Sequence, residues 1–175
     1  MSQLKKITED ALKEKLAWCK KRRDRVDLRE TDLYGFGLND AVLHSADLSG
    51  ANLSGSTLRG ANLHSADLRN ADMHGVDLSL GNLRGAFLQC ADLSKARLGE
   101  ADLHRATLSS AVLYGADLRG ANMHGADLSG ADLRGADLRG VKWGSANLHG
   151  ANLNGCILNA SDVASFHAAL CIVVM

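Results

Sequence analysis

The sequence predicts an all-β solenoid, and three observations support this fold class. The first is a five-residue unit, which runs without interruption as ADLRGANMHGADLSGADLRGADLRG from 116 to 140. The second is the central position of the unit, which is Leu at 24 of 28 places between 28 and 163 and apolar at the rest. The third is the position two residues earlier, which is Ala at 19 of the same 28 places. A period of five matches neither a helix nor a flat strand, so it indicates short extended segments joined by repeated corners around a stacked core.

Residues 1–25 precede the repeat and predict an N-terminal amphipathic capping helix. Thr8 is a suitable N-cap, and Ile7, Leu12, Leu16 and Cys19 form an apolar stripe with helical spacing. A solenoid exposes an apolar end, and such a helix would cover it. The alternative is a basic patch for nucleic acid or lipid, since the segment holds nine Lys and Arg against four Asp and Glu.

The units from 26 to 163 follow the pattern A(D/N)LxG and resemble those of pentapeptide repeat proteins. The resemblance implies a right-handed quadrilateral parallel β-helix in which four units make one coil, giving about seven coils. It also implies that the central residues stack inside the coils. We therefore expect Trp143 to fill a tapering core near the C-terminus and Phe36 to fill a widened first coil. The other core positions that we single out are Leu118, Met123, Leu128, Leu133 and Leu138.

Residues 164–175 end in the apolar run CIVVM and predict a C-terminal cap or a dimerisation segment. A homodimer formed through this segment is therefore one expected assembly. Ser161 or Asp162 is a candidate N-cap for a short helix at this end.

A coil of twenty residues would place five outward side chains in one column: His44, His64, Arg84, His104 and His124. We interpret them as an outward interaction column, in which the histidines gain charge below about pH 6.5 and attract an anionic partner. A ladder of solvated side chains is the plain alternative. A metal site is a third, and we do not expect it, because parallel side chains on successive coils do not converge on a tetrahedral ion.

Composition excludes several classes of function. The formal net charge is zero, there is no apolar stretch of membrane length or secretory signal pattern, and the four cysteines are scattered without a CxxC pair. We therefore expect a cytoplasmic protein without a membrane span, a bound metal or a cofactor. The 13 Asp that precede the central position belong to the repeat, so they do not indicate catalysis, and we expect no enzymatic activity.

The predicted function is that of a rigid, non-enzymatic scaffold for protein–protein interaction, whose partners the sequence does not identify. One alternative is a DNA mimic that protects or inhibits a type II topoisomerase such as gyrase, and another is a secreted bacterial effector. A duplex mimic of this length would need on the order of 20 negative charges. The chain from 26 to 175 carries a net −5. No direct binding of nucleic acid is expected.

Overall fold

Parallel β-bridges between residues twenty apart define the fold. The computed structural model describes residues 4–22 and 24–163. Within it, Asp27 pairs with Asp47 and Asp47 with Asp67, and bridges of the same spacing form four columns, the last bridge joining Asp137 to Ile157. The columns form four walls. Wall 1 contains the units that begin at 26, 46 and every twentieth residue after, wall 2 those from 31, wall 3 those from 36, and wall 4 those from 41. The resulting quadrilateral parallel β-helix confirms the predicted fold class and the twenty-residue coil.

Each corner is a tight turn that follows the central residue. In the unit from 41 to 45, the Ala46 N–H donates to the Leu43 carbonyl across the turn (3.0 Å), and the Leu43 N–H donates to Asn62 of the next coil (2.8 Å). The last residue of the unit has a positive φ, which suits glycine. Several units nevertheless place another residue there, and Leu80 has a φ of 61°.

The core is the stack of central and Ala-position side chains inside the walls. Leu118, Met123, Leu128, Leu133 and Leu138 are all fully buried, and Trp143 is 1% exposed near the C-terminal end. Phe36 is only half-buried, and it packs against the core at its N-terminal edge. The alternation of Leu with Ala or a similarly small residue fills the narrow interior, because each large side chain packs beside a small one.

The N-terminal end carries one strand and one helix. Strand β1 (Lys5–Lys6) pairs in parallel with β2 (Thr31–Asp32) on wall 2, an element that the sequence analysis did not anticipate. Helix α1 (Glu9–Arg22) follows, and the Thr8 hydroxyl oxygen accepts a hydrogen bond from the Ala11 N–H (3.2 Å). Leu12 and Cys19 of α1 are buried in the same cluster as the central leucines, so the helix covers part of the first coils.

A short 3₁₀ helix (Ala160–Asp162) follows the last coil. Its Asp162 carboxylate accepts a hydrogen bond from the Gly140 N–H (2.7 Å), where earlier coils use a carbonyl of the next coil. Asn159 is the N-cap of this 3₁₀ helix and makes no side-chain hydrogen bond there, whereas the helix for which Ser161 or Asp162 is the candidate N-cap would follow within the segment below. The predicted segment 164–175 lies outside the described residues. Across the described ranges, none of the helices has the length and apolar character needed to cross a membrane.

Candidate interaction surface on wall 4

The five residues of the predicted column lie on wall 4, at the corner that leads to wall 1. The bridges that join Val42, Asn62, Asn82, Asp102 and Asn122 in succession keep the coils in register. Column members in adjacent coils are therefore about 4.8 Å apart along the axis. The ring centroids of the last two histidines in the column are 5.5 Å apart, and the rings are tilted by 41°.

The residue before the central position holds the turn beneath most column members. The Asn62 side-chain oxygen accepts a hydrogen bond from the His64 N–H (3.2 Å), and Asn82 accepts one from the Arg84 N–H in the same way (3.2 Å). Asn122 does so for the next-to-last coil. A neutral amide thus performs the turn-stabilising role that a carboxylate performs on the other walls. Wall 4 therefore has the same stabilised turns as the other walls with fewer carboxylates.

The charge that results distinguishes wall 4 from the other three walls. In the six units of wall 4 from 41 to 145, Arg84, Arg105 and Lys142 stand against a single acidic residue, Asp102, which gives a balance of +2 with the histidines neutral; Asp162 lies in the 3₁₀ helix that follows. Arg84 Nη1 lies 3.2 Å from Asp102 Oδ2, and this is the one ion pair formed between wall 4 side chains within the described ranges. Walls 1, 2 and 3 carry balances of −3, −2 and −1.

On the other walls, the carboxylates of units that read Asp-Leu-Arg are paired within their own units. In the sequence Asp-Leu-Arg, the guanidinium folds back on the carboxylate two residues earlier, as in Arg69–Asp67 (2.6 Å) and Arg139–Asp137 (2.6 Å). The hydrogen bond from the Arg69 guanidinium holds the pKa of Asp67 below its usual range, against the opposing effect of burial. These carboxylates therefore present little free negative charge to a partner.

Two hollows lie along wall 4. The first, of about 300 Å³, separates α1 from the first coils and reaches His44. The second, of about 160 Å³, lies between His64 and His104, where Gly85 provides no side chain. At the C-terminal end of the column the His124 ring rests on Gly144, which has a φ of +50°.

The other predicted features lie elsewhere. The arginines of wall 3 form a separate surface, in which Arg119 pairs with Asp117 (2.7 Å) and approaches Asp137 (3.7 Å). Within the described residues, no three His, Cys, Asp or Glu side chains group in a way that could hold a metal ion. Arg105, Lys142 and Val42 also belong to the wall 4 surface, although none of them stood out as a candidate in the sequence. The signal was present, because sorting charged residues by the twenty-residue coil separates the one positive wall.

The five-residue units are also the part of the chain that matches a known protein family. The profile of the Pentapeptide repeats family matches residues 24–60, 46–85, 86–125, 101–140 and 126–162, in 8 copies. The chain belongs to the pentapeptide repeat family. This result confirms the resemblance inferred from the A(D/N)LxG units. No curated protein matches the chain.

Two solved pentapeptide repeat structures share the fold. HetL, described as involved in heterocyst differentiation regulation in the cyanobacterium Nostoc sp. strain PCC 7120, is 26% identical with a TM-score of 0.59. That match covers 86% of this chain and 92% of HetL. Rfr23 from the cyanobacterium Cyanothece 51142 is also 26% identical, with a TM-score of 0.51, over 86% of this chain and 97% of Rfr23.

Proposed function

We propose that this pentapeptide repeat protein is a rigid, non-enzymatic scaffold that binds a protein partner through wall 4. The observation that carries the proposal is the charge of this wall. It is the one wall with a positive balance, and it achieves this by placing Asn at turn positions where the other walls most often place Asp.

Two further features support a docking role. The column side chains are exposed or half-exposed and lie in register on a rigid framework, so little conformational entropy is lost when a partner binds. The hydrogen-bonded turns fix the backbone beneath His64 and Arg84 (3.2 Å each). A preorganised row of donors favours selective binding of a complementary surface.

A scaffold agrees better with the interior than an enzyme does. The core is filled by Leu and Ala side chains, and the hollows described above are open to solvent rather than enclosed by convergent polar groups. The cytoplasm is the compartment that we propose. The thiols of Cys19, Cys90 and Cys156 are free, as is usual in a reducing compartment.

The test is site-specific photo-crosslinking in the source cell. A photoreactive amino acid at Ser65 on wall 4 is compared with the same amino acid at Ser54 on wall 2. We expect crosslinked partners from Ser65, lost when Arg84→Glu is added. The matched control Arg134→Glu, on wall 2, should leave them in place. Equal crosslinking from both walls, or crosslinks unaffected by Arg84→Glu, would contradict the proposal.

The topoisomerase alternative has less support in the structure. A DNA mimic needs a continuous row of free negative charge, whereas many carboxylates here are paired with an arginine of their own wall. A supercoiling assay with purified gyrase tests it independently. We expect micromolar protein to leave supercoiling unchanged.

A further inference from the structure

We propose that wall 4 binds an acidic polypeptide segment in extended conformation, with one aliphatic side chain of that segment seated between α1 and the first coils. The inference rests on the proposed function, because it names the chemistry of the partner for the same wall. Three observations support the inference. They are the lining of the hollow beside α1, the charge along the column, and the fact that the hollow adjoins the column at His44.

The hollow beside α1 is suited to an aliphatic anchor. Leu16 of α1, together with Val26 and Val42 of the first coils, supplies apolar lining in a space of about 300 Å³. Val42 is 48% exposed, although it occupies a turn position that is polar in every later unit of wall 4. Val42 lines the hollow beside Leu16, so an aliphatic side chain from a partner seated there would bury it.

The rim of the hollow continues directly into the charged column. Lys20 and His44 stand at the rim, together with Asp24, whose carboxylate lies 3.3 Å from Arg22 Nε and is thus already paired. An anchor residue seated here would place the adjoining residues of its chain against the column. The surface is therefore apolar at one end and basic along its length.

The length of the column suits a short extended segment. From His44 to His124 there are four coil steps, or about 19 Å at about 4.8 Å per step. An extended chain rises about 3.3 Å per residue, so about six residues span the column. Between its ends, Arg84 and Arg105 flank the hollow at Gly85, where a carboxylate side chain can approach both guanidinium groups.

The histidines make the interaction sensitive to pH. Rings 5.5 Å apart, as in His104 and His124, repel each other when both are charged, and a carboxylate between them would offset that repulsion. Charged groups also stand on the elements around the column. They are Lys20 of α1, Asp24 just after it, Arg84, Asp102, Arg105 and Lys142 of wall 4, and Asp47, Asp67 and Asp127 of the adjoining wall 1. Arg25 and Arg29 approach Asp47, Arg69 pairs with Asp67, and Asn147 donates to Asp127. Binding should therefore tighten as the pH falls.

A polypeptide fits this surface better than a nucleic acid does. A duplex presents about one charge per 1.7 Å, far more than a wall with a balance of +2 can neutralise. A peptide with one apolar side chain followed by spaced carboxylates matches the order of features on wall 4, in which an apolar hollow is followed by a basic column.

The experiment uses the full chain and a labelled peptide in which one leucine precedes about six glutamates, together with the same peptide in reverse order. Fluorescence anisotropy gives the dissociation constants at about pH 6 and about pH 8. We expect at least one orientation to bind about ten-fold more tightly at the lower pH. Replacing His44, His64, His104 and His124 by Asn should abolish this pH dependence. The control replaces His74 and His149, which lie outside the column, and should preserve it.

A matched pair of valine variants tests the anchor. Val42→Asp introduces a residue that wall 4 accepts at the same position in a later coil, and it should weaken peptide binding about ten-fold. Val112→Asp makes the same change at the same unit position on wall 2 and should leave binding unchanged. Replacing the peptide leucine by Ala should reproduce the effect of Val42→Asp.

Several results would overturn the inference. They are a lysine-containing peptide that binds as tightly, a single-stranded oligonucleotide or phosphatidylserine vesicles that bind more tightly, and equal effects of the two valine variants. If wall 4 crosslinks a protein in cells and both glutamate peptides fail to bind, the partner chemistry is wrong and the scaffold function stands. If a peptide binds as expected and wall 4 yields no crosslinked protein, the peptide chemistry stands and the scaffold function is wrong.

Discussion

Leu80→Gly should make the protein more stable, although it removes an apolar side chain. Leu80 ends its unit with a φ of 61°, in the left-handed region. For a residue with a Cβ this conformation costs about 1–2 kcal/mol. The side chain is 48% exposed, so its removal sacrifices little burial. Glycine loses about 0.5–1 kcal/mol more backbone entropy on folding, which leaves a net gain of about 0.5–1 kcal/mol.

Two alanine variants calibrate the effect. Gly135 has a φ of +67°, and a Cβ built on it meets nothing within 4 Å, so Gly135→Ala isolates the backbone conformation from any steric contact. We expect it to destabilise the protein by about 1 kcal/mol. Gly37 is equally open, but its φ lies outside the left-handed region. Gly37→Ala should therefore be neutral or slightly stabilising.

Urea unfolding followed by far-ultraviolet circular dichroism measures all three variants. Coincidence with a second probe, tryptophan fluorescence, establishes whether the transition is two-state, which repeat proteins do not always satisfy. A loss of stability in Leu80→Gly, or the same response in Gly135→Ala and Gly37→Ala, would refute the argument that the turns store backbone strain.

Three further outcomes follow from the core, the column and the walls. Leu118→Ala should lower the free energy of unfolding by about 3 kcal/mol, whereas Arg119→Ala, on the exposed face, should barely move the urea midpoint; equal losses would contradict the inward stack. Gly144→Ala places a methyl group 2.6 Å from His124 Cγ, so it should displace that ring, visible as a changed imidazole NMR signal, and destabilise the protein by about 1–3 kcal/mol. The pKa of Asp67 is lowered on folding, so its charge contributes stability above about pH 4 that is lost as the pH falls further. Asp67→Asn should therefore be less stable than the parent at neutral pH, and thermal melts of the two should converge in acid.

The repeat made most of the fold predictable from the sequence, whereas the elements outside the repeat were harder to predict. Leu118 and its equivalents recur every five residues, and only a stacked interior requires an apolar side chain at such a spacing. Strand β1 could not be predicted, because two lysines carry no alternating pattern and their partner in β2 is distant in sequence. Phe36 is only half-buried at the N-terminal edge of the core, although Leu33 and Leu38 of the same coil are buried, and nothing in the repeat pattern separates it from them.

The sequence predicted the His-Arg column of the candidate surface but not its remaining members. The repeat imposes Asp or Asn before most central positions, which hides the choice between them, and that choice determines the charge of a wall. Arg105 and Lys142 stand at different places within their units, so they belong together only once four units are known to close a coil. Val42 shows its significance only beside α1, and no local pattern in the sequence places that helix against the first coils.

The pairing of β1 with wall 2 bears on how these molecules behave when crowded together. The first coil of a parallel β-helix presents unpaired backbone groups that a second molecule can extend, and unlimited extension produces a filament. Lys5 and Lys6 occupy that position on one wall with exposed, charged side chains, and α1 lies over part of the adjoining core. The N-terminal segment thus obstructs the addition of another molecule at this end of the solenoid, and a truncated form that begins at the repeat is expected to self-associate more readily than the full chain.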